Sequence, residues 1–270
     1  MSGLGLIFGA VVGLSLGLTG GGGAIFAVPL LVYGLQVPPR EAVSLSLAAV
    51  GATSLVGFLH RWKLGQVEIK TGLIFALAGM LGAPLGTWIA GFVPDLILLL
   101  LFAGLMIVVA VRLWQQASTV RTEVVCATAE DRGPTCRRDA RGHLILNSRC
   151  AALLLLVGVV TGVLSGLLGV GGGFVIVPAL ILFSAMPIHS AVGTSLMVIA
   201  LISVSGISSQ IWAGRTIPLE LTSLFVAGGI GGLFAGQSLG RHLSGPRLQK
   251  VFVVAILMVA VFVILKTLMA

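Results

Sequence analysis

Two stretches, GLTGGGGAIFAVP at residues 17–29 and GLLGVGGGFVIVP at residues 166–178, decide how this chain folds. Each interrupts a long apolar segment. From Gly3 to Gly34 the first segment has no charged residue and runs for 32 residues, about 48 Å as one helix against a hydrocarbon core of about 30 Å. A single straight span does not fit. The glycines are where it must break, since each costs about 1 kcal/mol in a helix interior relative to alanine. The pattern predicts, in each half, two short helices joined by glycine-rich backbone at membrane depth.

The second stretch is a copy of the first. Shifting the sequence by 149 residues aligns the halves without a gap through four apolar segments and pairs Gly9 with Gly158, Gly13 with Gly162, Gly20 with Gly169, Pro29 with Pro178, Ser46 with Ser195 and Ser54 with Ser203. Chance matches in an apolar chain give Leu and Val coincidences, not glycines and prolines in register. Apolar stretches fall at about 3–18, 21–35, 42–60, 71–93, 96–114, 150–168, 172–185, 190–212, 217–239 and 248–269. The expected organisation is therefore a transmembrane repeat at 1–115, a hydrophilic loop at 116–149 and a second transmembrane repeat at 150–270.

Composition excludes the other classes. Hydrophobic residues make up 57% of the 270 residues, and the 38 glycines raise the apolar share to about 71%, against roughly 45–50% for soluble domains. Only 24 side chains are charged, too few for a soluble surface or a disordered chain. The fold class is an all-α polytopic membrane protein. The formal net charge of +8 does not indicate nucleic acid, because ten of the 24 charges sit in the 116–149 loop and the other bases cluster at segment ends. Cys126, Cys136 and Cys150 are too few and too oddly numbered for a disulfide framework and read as free thiols. No cleavable signal peptide is expected, as residues 1–18 lack a basic start.

Lys and Arg set the orientation. With the Arg-rich loop in the cytoplasm, a broken pair that is re-entrant or crosses twice places 13 bases inside and 3 outside, against 12 and 4 if it crosses once. The count favours inverted repeats with both termini outside.

Irregular backbone at membrane depth needs a polar cavity or protein around it, and two such breaks at equivalent positions point to a binding site between the repeats. Helices starting near Gly22 and Gly171 would turn free N–H groups and a positive dipole end towards an anion. The candidate anion-binding backbone is Gly20, Gly21, Gly22 and Gly23 with Gly169, Gly171, Gly172 and Gly173. The competing reading is close helix packing, which Gly79, Gly82, Gly86, Gly228, Gly231 and Gly232 suit better. Hydroxyls come from Ser44, Ser46, Thr53 and Ser54 and from Thr194, Ser195, Ser203 and Ser205; they donate to an oxyanion without a buried charge but equally bond their own helices. Ser46, Thr194 and Ser195 are the preferred members. Thr19 joins them beside the first break, opposite an apolar Leu168.

No charged residue stands mid-span, so a retained carboxylate for proton or cation coupling has no obvious member. Glu41, Glu68, Glu220, His60 and His189 lie near span ends and read as interfacial. No catalytic, metal or phosphate-loop motif occurs, so neither an enzyme nor a cofactor is expected.

The segments GGGGAIFAVP and GVGGGFVIVP, each followed at fixed spacing by a proline and then AVSLSL or AVGTSL, resemble the TauE/SafE sulfite exporter family along essentially the whole chain outside the loop. The resemblance implies a multi-pass inner-membrane permease for a small sulfur oxyanion or organosulfonate. The first half departs by reading Leu45-Ser46-Leu47 where Thr-Ser-Leu is usual. A secondary transporter working by rocking of the repeats is the first expectation, a passive anion channel the alternative, and a scaffold or intramembrane enzyme a distant third. The partners so implied are a small anion and the lipid bilayer, with substrate, coupling ion and oligomeric state left open.

Overall fold

The computed structural model describes residues 2–119, 137–138, 144–145, 148–184, 186–215, 218–240, 257–263 and 265–266. The fold is helical. α1 (Ser2–Thr19) ends at the first glycine run, after which a 3-10 turn (Gly22–Phe26), α2 (Ala27–Pro29) and a π turn (Leu30–Gly34) form one short irregular helix. α3 (Pro39–Lys63), α4 (Ile69–Phe92) and α5 (Asp95–Thr119) follow. Beyond the loop come α6 (Ser148–Leu168), α7 (Gly173–Ser184), α8 (Ile188–Trp212) and α9 (Leu219–Gly240), and residues 257–263 are again helical. Inside the hydrophilic loop Arg137–Arg138 pairs antiparallel with Leu144–Ile145.

Among the described residues, five helices are long and apolar enough to span a bilayer: Pro39–Lys63, Ile69–Phe92, Cys150–Leu168, His189–Trp212 and Leu219–Leu239. Their outer faces carry large apolar side chains such as Leu77, Leu81, Leu85 and Trp88 on α4, all exposed. An apolar stripe of that kind faces lipid, and exposed Trp62 and Trp212 at the ends of α3 and α8 suit the headgroup level.

The expected pair of short helices in each half needs correction. α1 and α6 have 18 and 21 residues, about 27 and 32 Å, so the first member of each pair is close to a full span and only the second is short. The glycines come after 18 residues of α1 and 21 of α6, enough for nearly a full span, and leave only a short helix on the far side, 12 residues in α7. A second correction concerns cysteine. Cys150 is fully buried at the start of α6 and disulfide-bonded, because an odd count rules out a framework but not a single bridge. The expected stretch at 248–269 lies mostly outside the described residues.

Close backbone contacts give the helix directions. A Cβ on Gly9, Gly13 or Gly17 of α1 would collide with the carbonyls of Phe225, Gly229 or Leu233 of α9, and one on Gly162 or Gly166 of α6 with those of Gly79 or Ala83 of α4. Both series rise together, so α1 runs parallel to α9 and α6 to α4. Only glycine allows helices this close. Gly57 of α3 meets Leu233 and Gly229 of α9 meets Thr53, so α3 also runs parallel to α9. Having left on α1 and returned on α3 in the same direction, the chain must come back through residues 20–38. Each broken pair therefore begins and ends on one side, since α6, α4 and α8 share a direction in the same way (Gly72 against Thr194 and Met197, Gly79 against Ile202). α3 and α8 cross antiparallel, with Gly51 against Ser203 and Leu47 against Gly206.

Candidate functional site

The two glycine breaks meet. A Cβ on Gly21 would lie 2.6 Å from the Gly173 Cα, and one on Gly173 would lie 2.5 Å from the Gly21 Cα. The turns are made by left-handed backbone, at Gly20 (φ +76°) in the first break and at Gly169, Gly171 and Gly172 (φ +69°, +65° and +67°) in the second, a conformation that side chains other than glycine adopt at a cost. Gly20 packs on the Val192 side chain, Gly169 on Val43, Gly23 on Ser15 and Leu16, and Gly172 on Thr161. Gly22 opens the 3-10 turn.

Gly171 occupies the centre. A Cβ there would come within 2.9 Å of Ile199 and 3.3 Å of Val50, and these two residues lie one position before the midpoints of α8 and α3. The N–H groups of Val175 and Ile176 both reach the Gly172 carbonyl (3.0 and 3.2 Å), so α7 opens here with its first N–H groups unused by its own ladder. Helix starts expected near Gly22 and Gly171 are found at Gly22 and Gly173.

Serines of the central helices clasp the opposite breaks. Ser46 Oγ on α3 donates to the Gly169 carbonyl (2.7 Å), and Ser195 Oγ on α8 donates to the Gly20 carbonyl (2.6 Å). Positions 149 apart thus make the same bond across the molecule. Each hydroxyl has its own helix carbonyl at 3.0 or 2.9 Å as a longer alternative, but one proton serves the shorter bond best. What an anion would find at Ser46 and Ser195 is an oxygen whose proton is already engaged.

The other expected hydroxyls are dispersed. Thr194 Oγ1 accepts from the Glu68 N–H (3.0 Å) and fixes the α3–α4 turn to α8. Thr19 bonds the Ser15 carbonyl, Ser44 that of Arg40 and Thr53 that of Ala49, each one turn back in its own helix. Ser205 bonds the Met80 carbonyl on α4. Ser54 and Ser203, by contrast, are fully buried with no hydrogen-bond partner among the described residues, and so is Ser165 on α6. Ser54 is one turn beyond Val50 and Ser203 one turn beyond Ile199, on the same helix faces. Because α3 and α8 are antiparallel, with Gly51 against Ser203, Ser203 comes level with Val50 and Ser54 with Ile199, so both hydroxyls lie on the stretch of the two helices that Gly171 touches. The repeat pairs Ser54 with Ser203 as it pairs Ser46 with Ser195, which is the signal that could have singled them out. Ser165 has apolar Leu16 as counterpart and gave none.

Among the described residues no group of three His, Cys, Asp or Glu could hold a metal ion. The groups described around the two breaks are neutral: the Val50 and Ile199 side chains against Gly171, and the hydroxyls of Ser46, Ser54, Ser195 and Ser203 on the two central helices.

Residues 5–263 match the family model described as Sulfite exporter TauE/SafE. The chain belongs to the TauE/SafE family. It is similar to a "Probable membrane transporter protein" of Xylella fastidiosa (strain 9a5c), 36% identical over 95% of this chain and 92% of the relative. It is also similar to the "Probable membrane transporter protein YunE" of Bacillus subtilis (strain 168), 27% identical over 96% of this chain and 94% of that one. No solved structure matches the chain. With five described helices long and apolar enough to span, this TauE/SafE protein is a multi-pass membrane transporter, and a transported small molecule and a lipid environment follow from that.

Proposed function

We propose that this TauE/SafE protein is a secondary transporter that carries a small sulfur-containing anion, sulfite or an organosulfonate, across the inner membrane. The observation that carries the reading is the start of α7 at Gly171–Gly173, set between Val50 and Ile199, with the buried hydroxyls of Ser54 and Ser203, unpartnered among the described residues, one turn further along those two helices. The N-terminal amides and dipole supply the positive end, and neutral hydroxyls complete the shell without trapping the anion. Gly20, Gly21, Gly22, Gly23, Gly169 and Gly172 shape the two turns, while Ser46 and Ser195 hold them.

Transport proceeds by rocking of two inverted repeats, 1–115 and 150–270, joined by the 116–149 loop in the cytoplasm. Supporting this are the antiparallel run of α3 and α8 at equivalent positions and the even number of passes made by each broken pair. Exchange of the two serine clasps between made and broken states accompanies the rocking.

The test is flux in proteoliposomes with sulfite, thiosulfate, sulfate and sulfoacetate under imposed proton and sodium gradients. Counterflow of labelled sulfite against its own gradient is expected. Steady conductance without counterflow would make the protein a channel instead, and flux of none of the four anions would reject the substrate class.

A further inference from the structure

The two long central helices end in the same way. α3 finishes on Arg61, Trp62 and Lys63 and α8 on Gln210, Ile211 and Trp212, each soon followed by a left-handed glycine, Gly65 (φ +69°) or Gly214 (φ +74°). At the first end Gly65 N–H donates to the Trp62 carbonyl (2.9 Å) and Gln66 N–H to the Arg61 carbonyl (3.1 Å); at the second Gly214 N–H donates to Ile211 (3.0 Å) and Arg215 N–H to Gln210 (3.1 Å). This is the Schellman pattern, which sets the side chain just past the glycine beside that of the residue five positions earlier.

The neighbouring residue types are exchanged between the ends. After α3 they are Arg61 and Gln66, and they bond, Arg61 Nη1 to Gln66 Oε1 at 3.2 Å. After α8 the glutamine is on the helix and the arginine in the turn, and the bond is not made: Gln210 is fully buried and both its amide atoms lack a partner among the described residues. A buried amide left unbonded is expensive. The Arg215 guanidinium, half-buried, makes no hydrogen bond or ion pair among the described residues. Burial lowers its pKa first and the like charge of Arg40 second, with Asp95 opposing. Arg40 is itself engaged, through Nε to Asp95 Oδ1 (2.7 Å) and Nη2 to the Val93 carbonyl (3.3 Å). At this corner two guanidiniums therefore stand near one carboxylate, that of Asp95. A base at a helix C-terminus suits the macrodipole, but that does not account for the orphan amide of Gln210, five residues earlier.

The corner is level with the second break. α3–α8 contacts step from Gly51 against Ser203 to Leu47 against Gly206, and one more turn brings Val43, on which Gly169 rests, opposite Gln210.

We propose that the Gln210 amide and the Arg215 guanidinium form a second binding station for a small oxyanion, at the mouth on the face of Arg40 and Asp95. The proposal takes its pathway from the transport reading above. Arg215 presents paired N–H donors that fit two oxygens of a sulfite or sulfonate group, and the Gln210 NH2 adds a neutral donor while its Oε1 accepts from the guanidinium. One charge rather than two lets the anion leave again. With the central loop in the cytoplasm this mouth is external, where an exported anion departs or an imported one arrives.

The test uses the full chain in proteoliposomes with sulfite as probe and initial rates measured from each face. Arg215→Gln should raise the half-saturating sulfite concentration about tenfold at its own face, the scale of one charge-assisted hydrogen bond, and leave the opposite face as it was. Gln210→Leu should act in the same direction, while Asp95→Asn, which strips Arg40 of its counter-charge, should lower the concentration. The double exchange Gln210→Arg with Arg215→Gln rebuilds the pairing seen at α3, so it should fold yet remain weak. Unchanged half-saturation in Arg215→Gln and Gln210→Leu, or an equal rise at both faces, overturns the station. Equilibrium binding of radiolabelled sulfite separates it from the central site: binding should survive Gly171→Val and disappear when Arg215→Gln is added. Loss of all binding with Gly171→Val alone would mean that no second station exists. Normal flux in Gly171→Val would instead reject the central site and leave the station standing, and wild-type protein that neither binds nor moves sulfite refutes both.

Discussion

The two glycine breaks share a motif and a clasp but not a backbone. In the first, one left-handed residue, Gly20, turns the chain into a five-residue 3-10 turn that passes through three α-helical residues into a π turn. The second has three left-handed residues, Gly169, Gly171 and Gly172, and delivers the chain into twelve regular α-helical residues. A helix dipole builds up only along aligned peptides, so the second break presents the stronger positive end. In the proposed function, the same motif gives one half that closes the site and one that holds charge. The departure Leu45-Ser46-Leu47 sits on the helix facing the second break, since Ser46 clasps Gly169.

The largest effect expected from that difference is at Gly171. Gly171→Val should bring sulfite flux below detection with the protein still inserted, because a branched side chain would enter the space between Ile199 and Val50 at a left-handed position. Gly22→Val should also abolish flux if both breaks line the anion path; retained flux there would assign the charge to the second break alone. Gly104→Val, with open space around its Cβ, is the control and should transport normally.

Next come the buried hydroxyls of Ser54 and Ser203. Ser54→Ala and Ser203→Ala should each weaken sulfite binding about tenfold, the worth of a hydrogen bond of about 1.4 kcal/mol. Thermal unfolding should show no loss of stability, since each change removes an orphan buried group. A drop in Tm with unchanged affinity would make them structural.

The clasps should behave in the opposite way. Ser46→Ala and Ser195→Ala leave the Gly169 or Gly20 carbonyl without its donor and should each destabilise by about 1–3 kcal/mol. Equal losses would show that the halves lean on each other symmetrically, and a larger loss for Ser46→Ala would tie the clasp to the more strained second break. The smallest change is Thr19→Val. Its hydroxyl bonds only its own helix, so stability and flux should stay within about 0.5 kcal/mol of wild type. A large loss of flux there would return Thr19 to the anion path.

The sequence by itself determined the elements whose causes are local. Hydropathy and length require spans, and a run such as Gly20–Gly23 strongly disfavours a continuous α-helix, so the breaks, the apolar segments and the pairing of Ser46 with Ser195 were all readable one residue at a time. Only the tertiary structure decided what the polar groups do. Ser46 finds its acceptor 123 residues away and Ser195 finds its own 175 residues away, Thr194 is taken by the Glu68 N–H, and Ser54, Ser203 and Gln210 are left without partners. A hydroxyl or amide on a helix has its own carbonyls always in reach, and whether it uses them depends on which backbone the opposite half brings within 3 Å. That distance is set by glycine contacts between α1 and α9 and between α6 and α4, which exist only once both halves have packed.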